Sequence, residues 1–87
     1  MTLQQCKYVI KISEVGSFSE AARRLFIAQS GLSSSIKLLE EELGIRIFER
    51  SKGGVRLTVS GAEFVSYAER LIAEEEFIRE RYLSGEN

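Results

Sequence analysis

Five polar residues, Gln29, Ser30, Ser33, Ser34 and Lys37, fall within nine positions of the stretch IAQSGLSSSIKLLEEELG. Their types suit short-range hydrogen bonding: an amide that donates and accepts, three hydroxyls that do either, and one cation. No catalytic residue is predicted. The 87 residues include no histidine and show no nucleophile and base at a recognisable spacing. There is also no glycine-rich phosphate loop opening a helix after a strand. The single cysteine, Cys6, allows no internal disulfide. The run Glu40-Glu41-Glu42 points in three directions on a helix, so solvation and helix propensity explain it, and neither a metal site nor a cofactor is predicted. Serine competes for its own backbone's hydrogen bonds and is a poor mid-helix residue. Its repetition along one helix face implies a second surface too close for long side chains.

That face has to be positioned. At about 100° per residue from Leu32, the side chains of Ile36, Leu39 and Leu43 fall within roughly 40° of it. Ser33, Lys37, Ser30 and Ser34 fall between about 100° and 200°, on the opposite side. A helix from about Gln29 to Leu43, stopped by Gly44, therefore turns its hydroxyls outward. Gln29 stands at its start, where unpaired N–H groups attract anions. Upstream, SEAARRL predicts a short helix capped by Ser17 or Ser19, with Ala21 and Ala22 small enough for another helix to approach. FIAQS makes the turn. A first helix, capped by Thr2 and ended by Gly16, carries Leu3, Cys6, Val9 and Ile10 on one side, with Tyr8 and Ile12 on the other. Cys6 on this apolar side reads as a small core residue. Tyr8, Tyr67 and Tyr82 read as packing residues. IRIFER and GVRLT are short strands around SKGG, whose two glycines are expected to supply positive φ. Thr58 caps a last helix running to about Leu83, before Gly85 breaks it.

The net charge of −1 hides an asymmetry. Residues 1–60 hold nine Lys/Arg against six Glu, a balance of +3, while residues 61–87 hold three Arg against seven Glu, a balance of −4. A basic head on an acidic tail suggests a surface aimed at an anion. Two helices across a short turn, the second with an outward Gln and Ser face, describe a helix-turn-helix whose second helix enters the major groove of DNA. Gln can pair with adenine through two bonds, and Ser can bond either kind of base edge. Lys37 can meet phosphate. Ser17 and Ser19 are further candidate contacts. The hairpin adds a wing, with Lys52 at its tip and Arg50 and Arg56 flanking, placed for backbone or the adjacent minor groove. Arg23 and Arg24 read either as partners of nearby glutamates or as phosphate contacts.

These residues resemble the N-terminal DNA-binding domain of LysR-type transcriptional regulators. The resemblance is carried by Gly16-Ser17-Phe18, Ala21-Ala22, Leu25, Gln29, Leu32-Ser33, Ile36, Leu39-Glu40, Leu43-Gly44, Ile47-Phe48-Glu49-Arg50, Leu57-Thr58 and Gly61, without a gap. It implies a prokaryotic regulator whose head binds double-stranded DNA as a dimer, with contacts from Gln29, Ser30, Ser33, Ser34 and the wing around Arg50 and Lys52. It also implies a larger C-terminal effector-binding domain, absent from these residues, through which any effector small molecule would act. Departures from the family pattern are Ala28 for a capping serine, Ser30 for proline, Gly31 for alanine, and Ser34 and Gly53 for frequent arginines.

The expected fold class is mainly α: a winged helix-turn-helix of three helices and a two-stranded wing, followed by a long linker or dimerisation helix. Residues 1–58 form the DNA-binding unit, with the helix-turn-helix at about 18–37 and the wing at about 45–57. Residues 58–84 form the linker helix and 85–87 a tail. In that helix Phe64, Ala68, Leu71, Ile78 and Tyr82, flanked by Val65, Ile72 and Leu83, make a seam for a homodimer. Glu75 falls in the seam and is expected at an edge, or beside Arg79. The alternative is a protein-interaction module that heterodimerises through this helix with little specific DNA binding. With no apolar run near the ~18 residues of a membrane span, a cytoplasmic protein without membrane contact is expected.

Overall fold

The computed structural model describes residues 1–83. The predicted break at Gly85 and the tail 85–87 lie outside the described residues. The elements run α1 (Leu3–Val15), α2 (Phe18–Leu25), α3 (Gln29–Leu43), β1 (Phe48–Ser51), β2 (Gly54–Leu57) and α4 (Val59–Tyr82). Their ends are set by local chemistry. Thr2 and Gln5 form a reciprocal capping box at α1, and Gly16 closes that helix at φ 71°. Ser17, and not Ser19, caps α2 by accepting from the Glu20 amide. Gly44 closes α3 at φ 71°, and Thr58 caps α4 by accepting from the Gly61 amide.

One core joins these elements. Cys6, Val9 and Ile12 of α1 are buried with Phe18, Ala21 and Ala22 of α2 and Leu32, Ile36 and Leu39 of α3. Ile47 and Phe48 enter from the wing, and Phe64 and Ala68 from α4. Ile12 thus faces the core with Cys6 and Val9, and Ile10 is the flanking residue. Cys6 and Val9 lie as expected, and only Ile10 and Ile12 exchange places, because α1 is covered on a broad arc by α2, α3 and α4.

Phe64 and Ala68 correct the predicted dimer seam. The first half of α4 lies along α1, so these two side chains complete the domain's own core and are closed to a partner. All described residues from Glu76 to Leu83 are exposed. At ~1.5 Å per residue, the 24-residue helix is about 36 Å long, which accounts for the 51 Å longest dimension of the fold.

The hairpin pairs Phe48 with Leu57 and Ser51 with Gly54, leaving Lys52 and Gly53 as its two-residue loop. It begins later than the sequence pattern suggests, because Ile45, Arg46 and Ile47 approach as irregular chain. Of the two glycines of SKGG only Gly54, the first residue of β2, has positive φ, at 124°. A β-carbon there would also fall 2.5 Å from the Gly16 carbonyl oxygen. That oxygen accepts from the Val55 amide at 3.1 Å, so β2 is tied to the turn between α1 and α2.

Candidate nucleic-acid interface

The outward side of α3 is open. Gln29, Ser30, Gly31, Ser34 and Lys37 are exposed, whereas Ser33 is half-buried. Nothing lies within 4 Å of where a Gly31 side chain would begin. The start of α3 follows Ala28, which offers no side-chain cap. Leu32, Ile36 and Leu39 hold the opposite side in the core. Polar hydrogen-bonding groups therefore project together from a helix whose opposite side is fixed in the core.

Beside this face, a cleft of about 220 Å³ brings together Ser17 and Ser19 from the start of α2, Gln29 from α3, and Arg50 and Ser51 from β1. The Ser17 and Ser19 hydroxyls lie 3.1 Å apart. The Arg50 guanidinium sits over the Phe18 ring, 4.8 Å from its centroid, and Phe18 meets Phe48 edge-on at 5.6 Å. These ring contacts pin the root of the wing to α2. Lys52 is exposed at the hairpin tip. Arg56 is tied across the hairpin to Glu49 at 2.9 Å, so part of its charge is already met.

Of the two readings for Arg23 and Arg24, the structure shows the glutamate pairing. Glu20 accepts from Arg23 Nε at 3.1 Å and from Arg24 Nε at 2.9 Å. Hydrogen bonds from these guanidinium groups, Arg23 first, hold the Glu20 carboxyl down at about 2.

Glu40 overturns the solvation reading of the glutamate run. Its Oε2 accepts from the Ile47 amide at 2.7 Å and the Phe48 amide at 3.3 Å. Glu42 meets the terminal amine of Met1 at 2.6 Å, leaving Glu41 exposed. An anion near a helix C-terminus is disfavoured by the helix dipole, and that was the signal that Glu40 has a partner. Phe26 also went unread. It ends α2 in the left-handed region at φ 60° and is 94% exposed, three residues before Gln29.

Along α4, Leu71, Ile78 and Tyr82 are exposed, and Val65 and Ile72 pack partly against the core. Leu71 and Ile78 border an apolar cleft of about 380 Å³ against Met1, Leu3 and Cys6. Glu75 lies at its edge and pairs with Arg79. Tyr67 and Tyr82 are half-exposed or more, beside the guanidinium groups of Arg70 and Arg81, whereas Tyr8 packs against the core as expected. Phe77, absent from the predicted seam, is 61% exposed. Among the described residues no helix is long and apolar enough to cross a membrane.

Residues 3–62 match the family described as bacterial regulatory helix-turn-helix protein, lysR family. The chain is 40% identical over 73 residues to the HTH-type transcriptional regulator TfdT of Cupriavidus pinatubonensis, covering 84% of this chain and 32% of that protein. It is 41% identical over 81 residues to ClcR of Pseudomonas putida, covering 93% of this chain and 28% of the relative. The chain thus spans about a third or less of the curated relatives it matches. Its fold superposes on full-length OxyR from Pseudomonas aeruginosa with a TM-score of 0.90 and 40% identity, over 100% of this chain and 30% of the other. It superposes on the BenM DBD in its complex with benA site 1 DNA with a TM-score of 0.88 and 38% identity, over 93% and 94% of the two chains. The same succession of helix-turn-helix, wing and long helix thus recurs in sequence and in space, and the chain belongs to the LysR family of bacterial regulatory helix-turn-helix proteins.

Proposed function

We propose that this chain is the sequence-specific, double-stranded-DNA-binding head of a dimeric transcriptional regulator. In this reading α3 lies in the major groove, and Gln29, Ser30, Ser33 and Ser34 meet base edges. Ser17, Ser19, Lys37, Arg50, Lys52 and Arg56 meet backbone or the adjacent minor groove. The observation that carries it is the open hydroxyl and amide side of α3 beside the cleft that joins Ser17, Ser19, Gln29 and Arg50. That the similar BenM DBD is found in complex with benA site 1 DNA supports double-stranded DNA as the partner. Residues 1–58 act as the reading head and 58–84 as the linker, with an effector acting through a C-terminal domain beyond these residues. Dimerisation uses the part of α4 left open, centred on Leu71, Ile78 and Tyr82, with Val65 and Ile72 at its margin.

In vitro selection of bound duplexes at fixed salt tests this reading. A single enriched half-site repeated at helical spacing is the expected result; an unenriched pool overturns it. On the selected duplex, Gln29→Ala should cost about 1–3 kcal/mol at one base position only. Lys52→Ala should weaken all sequences alike and lower the salt slope by about one.

A second reading, an interaction module that pairs through α4 with another regulator, draws on Ser34 and Gly53, which offer neither length nor charge where the family resemblance expects arginine. Tight heterodimers together with an unenriched pool would favour it.

A further inference from the structure

Outside the groups assigned to DNA, Glu40 makes a direct hydrogen-bonded link between the polar helix α3 and the root of the wing. It belongs to α3, one turn beyond Ile36 and Lys37, so its backbone moves with the base-facing residues. Its carboxylate reaches off that helix to the amides of Ile47 and Phe48, where the chain enters β1. Both residues are buried, and the Ile47 carbonyl on the other side accepts from the Thr58 amide at 2.9 Å. The hairpin is two-stranded, so β1 has no further strand to take its outward amides. Four residues beyond Phe48 stands Lys52, at the wing tip. Beside the ring contacts to Phe18, the wing is thus held by hydrogen bonds at both strands: β2 through the Gly16 carbonyl, and β1 through Glu40.

We propose that Glu40 is a positioning residue that sets the wing against the recognition helix, so that the cations of the wing and the polar side of α3 meet one duplex in a single register. This inference rests on the DNA-binding reading. Glu40 itself touches no DNA in it. With the carboxylate gone, two buried amides lose their acceptor and the root of β1 shifts to find water, carrying Lys52 and Arg56 of the hairpin away from the backbone.

The experiment is an anisotropy titration of the chain on a duplex selected by the wild-type chain, repeated from about 50 to 300 mM KCl. Glu40→Ala should flatten the salt slope by about as much as the pair Lys52→Ala and Arg56→Ala, roughly one to two. Adding that pair to Glu40→Ala should then cost nothing further, whereas Gln29→Ala should remain additive with it. Glu40→Gln, which loses the charge and keeps an acceptor oxygen, should hold the wild-type slope. A merely structural role would lower the active fraction and leave the slope unchanged, and that outcome overturns the proposal. Equal changes in Glu40→Ala and Glu40→Gln also overturn it, because charge alone would then explain them. Should Glu40→Ala not fold, Glu40→Asp, one methylene short of the two amides, is held to the same slope criterion. Failure of the wild-type chain to select any duplex defeats the DNA-binding reading itself; a binding wild type with an unaltered variant slope defeats only the role of Glu40.

Discussion

Gly31 and Ala28 both weaken the start of the helix that carries the polar face. Glycine inside a helix costs roughly 0.5–1 kcal/mol relative to alanine, and Gly31 has open space where a side chain would begin. Gly31→Ala should therefore stabilise the chain by about that amount, and Ala28→Ser, which supplies the missing cap, by about 1 kcal/mol, both read from urea unfolding midpoints. Glu20 makes a prediction of different character. Its carboxyl is held at about 2 by Arg23 and then Arg24, below the ordinary 4.5. The folded state favours the ionised form, so the pairing supports the fold above about pH 4.5 and is lost as the pH falls toward 2. A carbon-detected titration should place the Glu20 midpoint low in the wild type and move it upward in Arg23→Ala.

Caps and stops are local devices, which is why Thr2, Gly16, Gly44 and Thr58 could be read as element boundaries from the sequence, and the cap of α2 narrowed to Ser17 or Ser19. The outward face of α3 was legible for a similar reason, since helical spacing alone separates Leu32 and Ile36 from Ser30 and Ser34. The joints between elements were not legible. Glu40 meets Ile47, Gly54 meets Gly16, and Gly61 meets Ile47 because of how separate elements come together, and residue type alone names no partner. Gly61 is the tightest of these. A β-carbon there would overlap the Ile47 carbonyl, whose oxygen also accepts from the Thr58 amide. Gly61→Ala should therefore push α4 off the root of the wing and destabilise the fold by about 3 kcal/mol, measured by denaturant unfolding. An unchanged midpoint would show that α4 can dock elsewhere.

In the whole molecule, one helix serves two purposes along its length. Periodicity marks Phe64, Ala68, Leu71 and Ile78 alike as apolar, and only the fold reveals that α1 claims the first two. The proposed dimer must then depend on the rest. Leu71→Glu with Ile78→Glu should give a monomer by sedimentation equilibrium while leaving the core intact, because both side chains are already half-exposed or nearly so. If the double variant still sedimented as a dimer, the pairing surface would lie elsewhere.

From Glu76 onward α4 projects with every described side chain exposed. A segment that short and that exposed holds its helical form only marginally in water. Diluting the protein should therefore do more than separate copies: the mean residue ellipticity at 222 nm should decline as the last turns unwind. Association and secondary structure would then follow one mass-action curve.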